Sequence, residues 1–189
     1  MDNIYSIIGQ LPNELKSCFM AFDNVLLSNI TEIRLRINKP IIIYILDKPY
    51  FISKYDKLIN HYTDSVRYLS GEEFKFILDN ICNNSYHTHI NTMINGYVTD
   101  NYGSRVGIAG EAVYKDSALT SVKNIESINI RISHNIIDCS RNILNTLYLK
   151  SSPSIIIAGP PASGKTTILR DMTRLLSSGY AGKYRKISV

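Results

Sequence analysis

The sequence predicts an α+β domain over residues 1–149, followed by the truncated start of an α/β domain over 150–189. Three observations carry this expectation. Through residue 149, stretches with helical spacing are interleaved with short alternating or β-branched stretches. Between 154 and 176 an apolar run, a glycine-bearing loop and a helix-period stretch follow one another directly, the order in which an α/β domain opens. One further strand-like stretch then ends the sequence, which is too little sheet to cover its own apolar faces.

The first helix is predicted over 11–22, where Leu11, Leu15, Cys18, Phe19 and Phe22 recur at helical spacing. Pro12 stands in its first turn, where a missing N–H costs nothing. Residues 32–37 (EIRLRI) alternate charged and apolar side chains, Asn38-Lys39-Pro40 punctuates, and 41–46 is a β-branched run closed by Asp47-Lys48-Pro49. With 50–52 as a third strand, these stretches predict a small antiparallel sheet. Ser70 and Glu73 have the spacing of a capping box, and Phe74, Ile77, Leu78 and Ile81 then share one helical face. A second helix covers 86–94 and ends at Asn95-Gly96.

Beyond Gly96 the pattern becomes strand-like at 97–99, 105–114 and 127–132, with turns at Asp100-Asn101 and Lys115-Asp116-Ser117. A helix over 136–149 rests on Ile136, Ile137, Ile143, Leu144, Leu147 and Leu149, and 150–153 reads as a linker. Residues 154–158 form a buried-strand run, 159–164 the loop, 165–176 a helix ended near Gly179, and 184–189 the start of another strand.

Composition narrows the function classes without choosing one. With 189 residues and 44% hydrophobic content, the chain can bury one core and part of a second, which excludes full disorder. A balance of 21 Lys+Arg against 16 Asp+Glu gives +5, compatible with a nucleotide, a nucleic acid or an anionic surface. Cys18, Cys82 and Cys139 are odd in number and widely spaced, so neither a disulfide framework nor a zinc site or metal cluster is suggested, and a reducing cytosol is the natural compartment. Neither a signal peptide nor an apolar run near the ~20 residues of a membrane-spanning helix is present.

The chemistry is carried by residues 159–166, GPPASGKT, which satisfy G-x-x-x-x-G-K-[ST] with an apolar run before and a helix after. Gly159 and Gly164 allow backbone conformations that a Cβ resists, so successive amides can turn inward around phosphates, with Pro160 and Pro161 stiffening the loop. Ala162 and Ser163 complete this cradle. Lys165 reaches the terminal phosphates, Thr166 supplies the hydroxyl for Mg²⁺, and Thr167 and the helix N-terminus add donors. ATP with Mg²⁺ is therefore the expected ligand pair. Hydrolysis further needs an acidic residue beyond the loop. After Lys165 the only acid is Asp171, expected to be an exposed polar residue, so the chain alone is expected to be inactive. Residues 154–189 are expected to be disordered, or packed against another molecule, when studied alone.

The order EIRLRINKP, NGYVTDNYGSRVGIAGE, INIRIS and IIIAGPPASGKTTILRD resembles the stage III sporulation protein AA family of endospore-forming bacteria over nearly the whole chain. The resemblance implies an ATPase similar to the motors of type II and type IV secretion and pilus systems. It further implies an α+β N-terminal domain joined to a RecA-like P-loop NTPase domain, with nucleotide between the two. A homo-oligomer, a hexamer when full length, would energise the channel between mother cell and forespore from the mother-cell cytoplasm, peripheral to the membrane beside membrane-bound sporulation channel proteins. Arg105 (GSRVGIAG) and Arg131 (INIRIS) sit in strands resembling those whose arginines approach the phosphates in related motors. A solvated or structurally paired strand charge is the alternative for each. Arg34 and Arg36, on one face of a strand, read as interface or fold residues.

A different class stays open: a non-hydrolysing assembly or nucleic-acid-binding module that uses nucleotide as a switch. Tyr44, Tyr50, Tyr55, Tyr62 and Tyr68, interleaved with Lys48, Lys54, Lys57 and Arg67, could stack on single strands, although such tyrosines more often pack on a small sheet. His87 and His89 could share a side if extended but diverge on a helix, and no third metal ligand is evident. His61 and His134 stand alone.

Overall fold

The computed structural model of the chain describes residues 2–83, 85–100, 105–132, 136–147, 154–161, 163–182, 184, 186 and 187. It divides into two compact units, Met1–His134 and Asn135–Val189, ahead of the junction expected at 149/150. The reason lies in the helix at Arg141–Leu147, whose fully buried Leu144 packs with Met172, Leu175 and Leu176. That helix therefore belongs to the second unit. The linker expected at 150–153 and His134 lie outside the described residues.

The first unit is built on one antiparallel sheet: β1 (Ile30–Arg36), β2 (Ile42–Ile45), β3 (Lys48–Ile52), β4 (Leu58–Ile59), β5 (Tyr97–Thr99), β6 (Arg105–Lys115) and β7 (Ala118–Arg131). The seven strands run in the order β4-β3-β2-β1-β7-β6-β5. The small three-stranded sheet expected from 32–52 is thus part of a larger one. β1 pairs with β7 through Glu32 opposite Arg131 and Leu35 opposite Ile128. The joining force is burial, since Ile33, Leu35, Ile128 and Ile130 all face the core. Ile30 and Ile33, an odd spacing for one strand face, are both fully buried because the pairing with β2 shifts register between Ile30 and Glu32.

β7 begins at Ala118, earlier than the expected 127, because β6 and β7 form a long hairpin around Asp116 and Ser117, both at positive φ. Gly110 permits this pairing. A Cβ there would stand 2.6 Å from the Lys123 carbonyl oxygen and 2.9 Å from that of Asn124.

Helices α1 (Asp2–Ile8), α2 (Asn13–Met20), α3 (Asn24–Ser28), α4 (Gly71–Ile81) and α5 (Ile90–Met93) complete the unit. Pro12 precedes α2 as its N-cap, and Leu15, Cys18 and Phe19 are its buried face. The capping box of α4 is formed: the Glu73 amide donates to Ser70 Oγ at 3.1 Å and the Ser70 amide to Glu73 Oε2 at 2.9 Å. The helix expected over 86–94 is split into a 3₁₀ turn, Tyr86–His89, and the single turn of α5, before Gly96 turns the chain at φ +78°.

The second unit contains α6 (Arg141–Leu147), α7 (Lys165–Ser177) and a 3₁₀ turn at Tyr180–Gly182. α6 starts later than the expected 136, because Asp138 takes φ +64° and breaks the helical path. Residues 154–158 have no strand partner and so are not a strand, contrary to expectation. Ile155 and Ile157 nevertheless pack on the Leu144 cluster, while Ile156 between them is 93% exposed. Nor do residues 184, 186 and 187 form a strand.

Candidate functional site

The loop at 159–166 closes onto the N-terminus of α7. Gly164 is the residue before the helix and takes φ 82°, ψ 9°, the left-handed conformation. A residue with a Cβ pays for that conformation, which is why glycine stands immediately before Lys165. The helical ladder starts with the Ile168 amide donating to the Gly164 carbonyl at 2.9 Å. The preceding amides of Lys165, Thr166 and Thr167 belong to the turn that has no intrahelical acceptor and confers partial positive charge.

The loop itself is tight. The Ser163 amide donates to the Pro160 carbonyl at 3.4 Å, and a Cβ on Gly159 would meet Ser163 Oγ at 3.0 Å. Lys165 folds back over this turn, its Nζ donating to the carbonyls of Gly159 at 2.8 Å and Pro160 at 2.5 Å. Its ammonium is thereby held above the loop. Thr166 is exposed and Thr167 half-buried at the first turn of α7. Gly159, Pro160, Pro161, Ser163, Gly164, Lys165, Thr166 and Thr167 are thus gathered at one helix end, while Ala162 lies outside the described residues.

Asp171 departs from its expected role. It is 4% exposed, not a solvated helix residue. Its Oδ1 accepts the Asp138 amide at 3.0 Å and Arg174 Nη2 at 2.7 Å, and its Oδ2 accepts the Ser140 amide at 2.9 Å and the Ser140 hydroxyl at 2.6 Å. Arg174 also reaches Asp138 Oδ1 at 2.8 Å, and Arg141 reaches Asp138 Oδ2 at 3.0 Å. Burial works to raise the Asp171 carboxyl, but the Ser140 hydroxyl and amide, the Arg174 guanidinium and the Asp138 amide outweigh it and hold the group well below the usual carboxylate range. The sequence signal for this cluster was present in Asp138-Cys139-Ser140 ahead of α6, a helix-start pattern, and in the i,i+3 pair of Asp171 and Arg174.

Arg105 and Arg131 lie in the first unit. The Arg105 guanidinium stacks 4.9 Å from the Tyr97 ring centroid, and Arg131 is 81% exposed with Nε 4.0 Å from Glu32 Oε2. Arg34 also pairs with Glu32 and stacks at 4.4 Å on Tyr44. The tyrosines likewise have partners within the unit: the hydroxyls of Tyr62 and Tyr68 bond to each other, and Tyr62 meets Phe51 edge-on. His89 closes the 3₁₀ turn that begins at Tyr86. Among the described residues no cluster of three or more His, Cys, Asp or Glu could hold a metal ion, and no helix is long and apolar enough to cross a membrane.

Comparison with known proteins gives three findings. Residues 4–188 match the family described as sporulation stage III, protein AA. Stage III sporulation protein AA of Bacillus subtilis (strain 168) is 32% identical over 169 residues, covering 89% of this chain and 51% of that protein. The chain therefore spans about half the length of the curated relative it matches. The X-ray structure of the Legionella pneumophila ATPase DotB is a distant likeness, 17% identical with a TM-score of 0.35 over 86% of this chain and 40% of that one. The chain belongs to the sporulation stage III, protein AA family.

Proposed function

We propose that residues 159–167 bind the phosphates of Mg·ATP and that the full-length protein is an oligomeric ATPase serving a sporulation channel complex. The observation that carries this reading is the left-handed Gly164 leading directly into Lys165 at the start of α7, with the lysine ammonium poised over the loop. The donor set fits the ligand: the N-terminus of α7 favours anionic oxygens, and a primary ammonium neutralises the outermost of them. When the phosphates enter, Lys165 exchanges the Gly159 and Pro160 carbonyls for phosphate oxygens, a change from neutral to charged acceptors that strengthens its hydrogen bonds.

The Thr166 hydroxyl is the residue for Mg²⁺, consistent with its exposure on the first turn. Bound there, the ion would offset charge on the phosphate oxygens. Family membership supports the sporulation setting; a homo-oligomer of six subunits and membrane-bound channel proteins as partners belong to the proposal itself. Arg105 and Arg131 belong to the same proposal, as arginines that would approach the phosphates in the assembled protein.

The deciding experiment is ATP binding and hydrolysis by the full-length protein, with Lys165→Ala as control. Loss of turnover in a folded Lys165→Ala protein is the expected outcome. Salt-sensitive binding to oligonucleotides without turnover would favour the alternative of a nucleic-acid-binding or assembly module switched by nucleotide.

A further inference from the structure

Two contact types locate α7 in the second unit. The first is apolar, where Met172, Leu175 and Leu176 close on Leu144. Such contacts resist separation and are individually non-directional. The second is the polar attachment of Asp171 to the turn at Asp138 and Ser140, whose hydrogen bonds are directional. Ser140 is fully buried and its backbone carbonyl starts the α6 ladder through the Leu144 amide at 2.9 Å. The turn that Asp171 grips is therefore itself fixed to α6.

From these relations we propose that Asp171 is a positioning residue of the nucleotide site: by binding the turn at Asp138 and Ser140 it sets the rotation of α7, and with it the directions of Lys165 and Thr166. The inference rests on the nucleotide reading given above. Its lever is geometric. An atom about 6 Å from a helix axis moves about 2 Å when the helix rotates by about 20°. A displacement of about 1 Å at reacting groups can cost on the order of a hundredfold in rate. Arg174, one turn further along α7, bonds both Asp171 and Asp138 and so tightens the same attachment from the outside.

The test uses the full-length protein and compares wild type, Asp171→Asn, Ser140→Ala and Lys165→Ala, each with its folded fraction measured by circular dichroism. For Asp171→Asn the expected result is a kcat lowered by about tenfold or more with KM for Mg·ATP changed by less than about threefold. Ser140→Ala keeps the backbone donors and is expected to lower kcat by about threefold. A kcat within about twofold of wild type in both variants overturns the inference, as does a loss that only tracks the unfolded fraction. If Asp171→Asn does not fold, Ser140→Ala decides: a reduced kcat at full folding supports positioning, and an unchanged kcat refutes it. A wild type that neither binds nor hydrolyses ATP removes the nucleotide reading and this inference together. An active wild type with an inactive Lys165→Ala and an unaltered Asp171→Asn removes the inference alone.

Discussion

Asp171 Oδ2 accepts both the amide of Ser140, at 2.9 Å, and its hydroxyl, at 2.6 Å, so one carboxylate oxygen of α7 does the work of a cap for the start of α6. α6 has no acidic residue in its own first turn. A carboxylate from another helix supplies the negative charge that a helix start favours, and Arg174 balances it from the solvent side.

The acid dependence of the second unit follows from that carboxylate. Its folded-state pKa lies below the unfolded value, so the stability it confers is fully present above the unfolded carboxyl range, near pH ~3.9, and is lost as pH falls through the lower folded value. Asp171→Asn should weaken hydrogen-exchange protection at the Leu144 amide by the equivalent of about 2 kcal/mol at neutral pH. The gap between variant and wild type should hold steady down to about pH 5 and narrow below about pH 4. A gap that stays constant to about pH 3 would show that the ionised form contributes nothing special.

Gly164 offers a cleaner test of backbone conformation. It takes φ +82° and nothing lies within 4 Å of where its Cβ would stand, so substitution costs conformation without collision. Gly164→Ala should destabilise the second unit by about 1–2 kcal/mol, and Gly164→Asn by less, since asparagine tolerates the left-handed region. Chemical denaturation followed at α7 checks the ranking; equal losses for both variants would mean that the position is not held left-handed in solution.

What was legible in the sequence divides along physical lines. Local signals held wherever a short-range pattern decides the structure: the Ser70 and Glu73 capping box, the apolar face of α4, and the glycine before Lys165 all stand where spacing placed them. Longer-range choices did not show. The joining of β1 to β7 depends on a pairing between residues about a hundred positions apart, such as Glu32 and Arg131, and no local pattern encodes it. The register shift that buries both Ile30 and Ile33 is equally a property of the pair and not of the strand. Asp171 departs from its expected exposure for the same reason, because its polar character reads as exposure until Ser140 is brought opposite it.

Cysteine reactivity discriminates the packing of both units at once. Cys18 and Cys82 are buried in the first unit, where burial, reinforced by Asp56 beside Cys18 and by Asp79 near Cys82, pushes their thiols up to about 12 and about 11. The thiolate is the reactive form, so both are disfavoured by access and by ionisation. Cys139 is exposed, and although slight desolvation and the neighbouring Asp171 carboxylate raise its pKa too, reagent can reach it. Under native conditions at neutral pH, maleimide should therefore modify Cys139 at least about tenfold faster than the other two, as read by peptide mass spectrometry over time. Denaturant should equalise the three rates. Comparable native labelling of Cys18 would mean that α2 is not seated on the sheet through its Leu15, Cys18 and Phe19 face, since that face cannot remain buried while its thiol meets reagent.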